Sequence, residues 1–451
     1  MSEQYRPKLH ISPPKGWLND PNGLVFFKGQ YHAFYQLEPN TKYAAGDKWW
    51  GHCVSDDLAS WKHLPIALAP DEVGSMWSGS AVWDKNNTSG LFDGVKDGGM
   101  VLFYTAAARW QQQCVAYSAD GLTFEKYDAG KPVLPVERDP LHLYDFRDPK
   151  VFWSDEFGKW IMIVAGGPVR FYSSDNLVDW EFETVLDHVH TECPDIHPLT
   201  TTDGVTKWIL NGCGVWYMIG ELLKVNGKIT FVPDNGSRIA WNAGGDIYAT
   251  QSFGSMPDGR VVAIGWMTDV NYAGHRELLD TTDAFCHALT LPYELKLERK
   301  PDGKLFVAQY PIKELELLRN GKIDKAKGIY EADITLDVSN ATKAGMLINL
   351  SEDGSELVRA EYDAAAKTFT LNRGLSGITP HGRFFEARST IVEPKDGKLN
   401  IQLFVDTASI ELFVNGEVFT MLVFPTKQGT LKLYGDAKTE KLDIYKLNQA
   451  I

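Results

Sequence analysis

The chain has 451 residues, 44% of them hydrophobic, which is more than one core usually serves, so two domains with sizeable interiors are expected. Its 45 Lys and Arg stand against 59 Asp and Glu, a formal net charge of −14, which works against binding a phosphate backbone, so no nucleic-acid partner is expected. No apolar run approaches the roughly 20 residues that cross a bilayer as a helix, so no membrane partner is expected either.

The first seventeen residues, MSEQYRPKLHISPPKGW, hold no apolar leader core and no small-residue cleavage site. As written, the protein is expected in the cytoplasm, and secreted only if a leader precedes this sequence. The sequons at Asn86, Asn87, Asn235 and Asn340 matter only in the second case. Cys53, Cys114, Cys193, Cys213 and Cys286 are odd in number and lack CxxC pairs, a poor disulfide framework that suits a reducing compartment.

Between residues 20 and 270 a glycine turn leads five times into an apolar strand: FFKGQYHAFYQ, KDGGMVLFYT, DEFGKWIMIVAG, TDGVTKWILNG and PDGRVVAIGW. The turn glycines Gly29, Gly98, Gly158, Gly204 and Gly259 recur at roughly fifty to seventy residues, slightly longer than known propeller periods. Five units predict five blades. Several units close on a Ser-x-Asp-x-Leu signature or a relative of it: Ser55–Trp61, Ser118–Phe124 and Ser173–Trp180. Such a segment predicts a turn in which Asp or Asn folds back on the backbone and an aromatic ring packs between blades.

Before each glycine turn lies a less ordinary segment: WLNDPNGL, MWSGSAVW, FRDPKVFW, TECPDIHPL and GGDIYATQSF. If each is the first strand of its blade, all five line the axial channel, and Asp20, Ser78, Asp148, Glu192 and Asp246 surround one pocket. An isolated Asp beside Pro, Asn or Gly is ordinary turn chemistry. Recurrence at corresponding places argues instead for a site. Carboxylates crowded together, with Arg147 as the visible counterweight, resist ionising at once, so one is expected to have a raised pKa and could serve as an acid.

Past Pro311 the composition shifts toward Lys, Ala, Thr and Asp, and short strands follow at regular intervals from Ile329. The chain therefore reads as all-β: a five-bladed β-propeller over 1–310, a linker over 311–325 and a C-terminal β-sandwich over 326–451. The sandwich is expected to pack against the propeller and stabilise it.

His188, His190 and His197 match no HExxH or Cys/His ligand spacing, so no metal is expected. No GxSxG elbow, GxxxxGK[ST] loop or helix-opening GxGxxG is present, leaving serine-hydrolase and nucleotide-binding readings without support.

The ordered set WLNDPNG, WGH at Trp50–His52, WSGSA, FRDPK, ECPD, YATQS and GWM, with DTASIELFVNGEVF near the end, resembles glycoside hydrolase family 32 along nearly the whole chain. That family contains the invertases, levanases, exo-inulinases and sucrose-6-phosphate hydrolases. The resemblance implies a retaining, exo-acting β-fructofuranosidase that takes terminal fructosyl units from sucrose, fructo-oligosaccharides or fructan ends, without a metal or organic cofactor. It assigns Asp20 as nucleophile, Glu192 as acid/base and Asp148 as transition-state stabiliser. It also places Asn19, Gln36, Trp50, Trp77, Ser78, Arg147, Asp246 and Trp266 around the fructosyl unit, with Cys193 as a pocket neighbour. The loop after Gln36, LEPNTKYAAGDKWW, departs from the family's wording, so leaving-group contacts are expected to differ there. Two rivals are a fructosyltransferase of the same fold and a non-catalytic sugar-binding protein. The second should lack one of the three carboxylates, and this chain keeps all three.

Overall fold

The computed structural model describes residues 3–380, 382 and 386–451. Five antiparallel sheets form first, and their innermost strands are Gly16–Phe27, Ser75–Asp84, Arg147–Ser154, Pro194–Thr200 and Tyr248–Ser252. Each inner strand touches the next, and the fifth returns to the first, so the sheets close as blades around an axial channel. A short parallel pairing of Phe285–Cys286 with Gly16–Trp17 clasps the end of the propeller to its beginning.

The five expected segments are these inner strands, and the five expected glycines lie between the first and second strands of their blades, all with positive φ. At Gly98 a Cβ would collide with the Asp84 carbonyl, so that turn depends on glycine.

The Ser-x-Asp turns fold as the sequence suggests. Ser55, Ser118 and Ser174 donate to Asp57, Asp120 and Asn176, whose side chains accept backbone N–H groups two and three residues on. The aromatic that follows reaches the neighbouring blade: Trp61 lies 6.4 Å from Phe253, Phe124 5.5 Å from Phe34 and Trp180 5.8 Å from Phe103. Ring pairs of this kind add about 0.5–1.5 kcal/mol beyond the area they bury.

Among the described residues, two sheets of six and five strands make the sandwich, with every strand expected after Ile329 present and one more, Arg388–Ile391, added at an edge. The segment expected as a linker is structured. Lys313–Leu318 is a 3-10 turn whose Leu315 and Leu318 are buried in the propeller core, and Arg319–Lys322 already pairs with Lys438–Leu447 of the sandwich. Much of the segment read as a linker is therefore packed structure.

The two domains share one apolar core: Phe404, Phe413, Val418 and Leu447 of the sandwich cluster with Trp241, Tyr293 and Leu297 of the propeller. Polar groups cross the same seam. His10 is buried between Asp406 at 2.7 Å and Glu411 at 3.2 Å; burial opposes its charge, but the two carboxylates lift its pKa to about 9. Arg373 of the sandwich pairs with Asp246 of the propeller, and both are buried; Tyr272 Oη also donates to Asp246, as does Leu422 N–H at 2.7 Å. Asp246→Ala would take a buried carboxylate away from the Arg373 guanidinium. The expected cost is about 3–5 kcal/mol, read as a lower urea midpoint, and an unchanged midpoint would contradict this view of the seam.

Candidate active site

The site forms where the inner strands begin, and it forms by irregularity. On four of the five, pairing with the second strand slips by one residue. Asn19 and Asp20 oppose Gln36 alone, Ser78 has no counterpart between Tyr104 and Thr105, Asp148 and Pro149 oppose Val164 alone, and Ala249 and Thr250 oppose Gly265 alone. These are β-bulges, which bend a strand and re-aim a side chain. Pro149, with no N–H for the ladder, is tolerated in an inner strand because it sits in one. The fourth inner strand is regular, and Glu192 and Cys193 immediately precede it. Asp148 (φ +63°) and Cys193 (φ +38°) are in the left-handed region, which for residues other than glycine costs on the order of 1–3 kcal/mol and is concentrated at functional sites.

Asp20 terminates a one-way chain of donors. Trp17 Nε1 donates to Asn19 Oδ1 (3.0 Å), Asn19 Nδ2 to Gln36 Oε1 (3.0 Å), Gln36 Nε2 to Ser78 Oγ (2.6 Å), and Ser78 Oγ to Asp20 Oδ2 (2.5 Å). The Cys193 thiol is a further donor at 3.3 Å. Burial pushes the pKa of Asp20 up, these donors pull it back, and the balance lies above the ordinary aspartate value. Donors that favour the charged form are what keep an enclosed carboxylate available as a nucleophile.

Asp148 is the most enclosed of the three. Its Oδ2 accepts Cys193 N–H at 2.9 Å, while its own N–H donates to Thr105 Oγ1 at 2.9 Å. Burial pushes its pKa up to about 7, against the pull of Arg147 and with the help of the Asp20 charge. The strongly raised carboxyl expected from the sequence is thus Asp148.

Glu192 stands at the mouth, with 43% of its side chain exposed. Arg147 Nη2 donates to one of its oxygens at 2.5 Å and Tyr248 Oη to the other at 2.8 Å, and its backbone carbonyl accepts from Thr191 Oγ1 and Cys213 Sγ, both at 2.9 Å. Arg147 is itself fixed by Asp145 at 2.6 Å and Gln111 at 3.1 Å, and lies 3.7 Å from Asp148. It therefore orients Glu192 more directly than it does Asp148.

Asn19, Asp20, Gln36, Ser78, Arg147, Asp148 and Glu192 are thus brought together as expected, and Trp77 borders them, its ring centroid 6.0 Å from the Arg147 guanidinium. Two expectations need correction. Trp50 is 0% exposed and donates Nε1 to the Trp77 carbonyl at 3.1 Å, so it supports the strand carrying Ser78 and offers no surface to a sugar. Asp246 is buried and committed to Arg373 at the domain seam. Trp266, 6% exposed like Asp148, packs against Trp17 (5.9 Å) and Tyr248 (6.3 Å), rings whose polar atoms reach Asn19 and Glu192.

The sequence reading missed Tyr248, although the YATQS motif contains it; the bulge immediately after it accompanies the contact with Glu192. It also missed Lys48, supplied by the divergent loop. The Lys48 ammonium is 5.8 Å from the Trp17 ring centroid, with no hydrogen-bond partner among the described residues, and burial lowers its pKa.

One donor-fed carboxylate, one enclosed acid and one carboxylate at an open mouth, all converging on a propeller axis, are the equipment of a glycoside hydrolase. Residues 10–311 match the glycosyl hydrolases family 32 N-terminal domain and residues 306–448 match glycosyl hydrolases family 32 C terminal. The chain belongs to glycosyl hydrolase family 32. It is 36% identical over 448 aligned positions to fructan beta-fructosidase of Streptococcus mutans, covering 91% of this chain and 30% of that protein. It is 34% identical over 500 aligned positions to levanase of Bacillus subtilis, covering 99% of this chain and 71% of that one. The crystal structure of exo-inulinase from Aspergillus awamori matches it with a TM-score of 0.87 at 28% identity over 99% of both chains.

Proposed function

We propose that the protein is a retaining, exo-acting β-fructofuranosidase that removes terminal β-D-fructofuranosyl units from sucrose, fructo-oligosaccharides and fructan ends. The observation that carries this reading is the donor chain ending on Asp20 beside a Glu192 gripped at both oxygens by Arg147 and Tyr248. Asp20 attacks C2 of the fructosyl unit while Glu192 protonates the departing oxygen. In the second step Glu192 takes a proton from water, the water oxygen bonds to C2, and Asp20 is released. Asp148 grips ring hydroxyls through bonds that tighten as the ring flattens toward an oxocarbenium ion. With a pKa near neutrality it can both donate to and accept from them.

Longer leaving groups have a surface to rest on. Trp110 is 42% exposed and Tyr144 53%, their ring centroids are 6.3 Å apart, and they adjoin Gln111 and Asp145, the residues that hold Arg147 against Glu192. Aromatic faces of this kind stack on the apolar faces of sugar rings. Trp110→Ala is therefore expected to lower kcat/KM on inulin or levan oligomers by about five- to tenfold, roughly 1–1.4 kcal/mol, with less than about a twofold change on sucrose. An equal loss on both would remove this role.

The function itself is tested by fructose release from sucrose, sucrose 6-phosphate, short inulin and levan oligomers, and the polymers. Release from none of them would overturn it. Accumulation of longer oligosaccharides in place of free fructose at high sucrose would make the protein a transferase.

A further inference from the structure

At the far end of the same inner strands lies a second cavity of about 670 Å³, inside the roughly 300–1,000 Å³ range of ligand sites. Trp153, on its wall, follows Asp148 by five positions on one strand, and Asp84 follows Ser78 by six on another. At about 3.3 Å per residue the cavity opens roughly 15–20 Å from the catalytic carboxylates. At its floor, Lys150 Nζ sits 2.6 Å from Asp195 and donates to the Ser252 carbonyl at 2.8 Å, tying the inner strands of the third, fourth and fifth blades together. Lys150 and Asp195 are both buried, so this opening is a separate place and not the back of the catalytic pocket.

We propose that this cavity is a second carbohydrate site, which holds a stretch of β-fructan chain while a chain end is trimmed at Asp20. The choice of fructan as the chain rests on the function proposed above.

The walls are aromatic and held in position. Trp153 is 42% exposed; its Nε1 is already bound to Asp155 at 2.8 Å, and its ring packs edge-on against Trp160 at 5.2 Å. Trp83 Nε1 is bound to the Asp97 carbonyl at 2.8 Å, and Trp208 leans on Phe152 at 5.4 Å. Rings fixed this way, with their N–H groups satisfied or packed against a neighbour, present apolar area to the CH faces of furanose units at little cost in side-chain freedom.

A polar group points to a hydroxylated ligand. His197 lines the cavity and is 6% exposed; its Nδ1 lies 3.2 Å from Asp195, and its Nε2 has no hydrogen-bond partner among the described residues. Its Nε2 can bond a sugar hydroxyl as donor or as acceptor, according to the tautomer. The charges around the opening, Lys85, Asp155 and Glu156, are mixed in sign, which suits a neutral chain and not a phosphate or other polyanion. A polymer held here raises the local concentration of chain ends at the catalytic mouth; sucrose is too small to gain from this.

The test uses native gels containing levan or inulin and the inactive Asp20→Ala protein, so that binding is read without hydrolysis. Asp20→Ala is expected to be retarded by at least one polymer. Adding Trp153→Ala should weaken that retardation at least about fivefold, and adding Trp153→Phe should retain most of it. With Asp20 present, Trp153→Ala should hydrolyse sucrose within about twofold of the unmodified protein, which verifies its fold. Equal retardation of Asp20→Ala with and without Trp153→Ala would overturn the site, as would no retardation by either polymer or full release by excess fructose. Sucrose hydrolysis by the unmodified protein is the separate check on the function.

Discussion

Asp20→Ala will give a folded protein whose kcat on sucrose is lower by about four to six orders of magnitude, because the group that bonds to C2 is gone and water cannot replace it at that point. The donor chain from Trp17 through Asn19, Gln36 and Ser78 then ends on no acceptor, and that chain exists to serve this carboxylate. Stability should move the other way or not at all. The folded pKa of Asp20 is raised above its unfolded value, so above the unfolded pKa its ionisation weighs against the native state, and removing it lifts that penalty. Measuring kcat and the thermal midpoint together checks both halves. Residual turnover above about one per cent would mean that another group is the nucleophile.

Glu192→Gln is the second large effect, with a loss of about 10²–10⁴-fold on sucrose. Glutamine keeps an oxygen for Arg147 but supplies no proton to the leaving group and takes none from water. Two signatures separate an acid/base from a merely structural residue. A fructoside whose leaving group departs without protonation should form the fructosyl-enzyme at near-normal rate, giving a burst. Azide, which attacks without needing a base, should then restore turnover and yield a fructosyl azide. A variant equally slow on both kinds of substrate and unmoved by azide would take the acid/base role away from Glu192.

Much of this architecture was legible because each blade repeats the same local solution. The Ser-x-Asp turns depend on neighbours two or three residues away, so their chemistry is written locally. The three carboxylates were legible for a related reason: each opens a corresponding unit, at or just before the inner strand. What was not legible is how each side chain is aimed. The Asp-Pro pairs at 20–21 and 148–149 look like turns and lie instead at bulges of inner strands, a distinction that depends on how the second strand pairs with them. Asp246 opens the fifth unit in the same way but is claimed by Arg373, 127 residues later, on a domain whose docking no local pattern encodes. Trp50 lies in a motif shared with the site, yet the strands around it close over the ring, and only its indole N–H works for the site, through Trp77. Tyr248 reaches Glu192 where Asp246, two residues earlier, turns to the seam.

The central claim is a covalent double displacement in which Asp20 and Glu192 act from opposite sides of C2. It is tested most directly by the anomeric form of the first fructose released, followed by NMR from the earliest turnovers, before mutarotation. Two inversions predict β-fructofuranose as the initial product. Initial α-fructofuranose would mean a single displacement by water and would contradict the role assigned to Asp20.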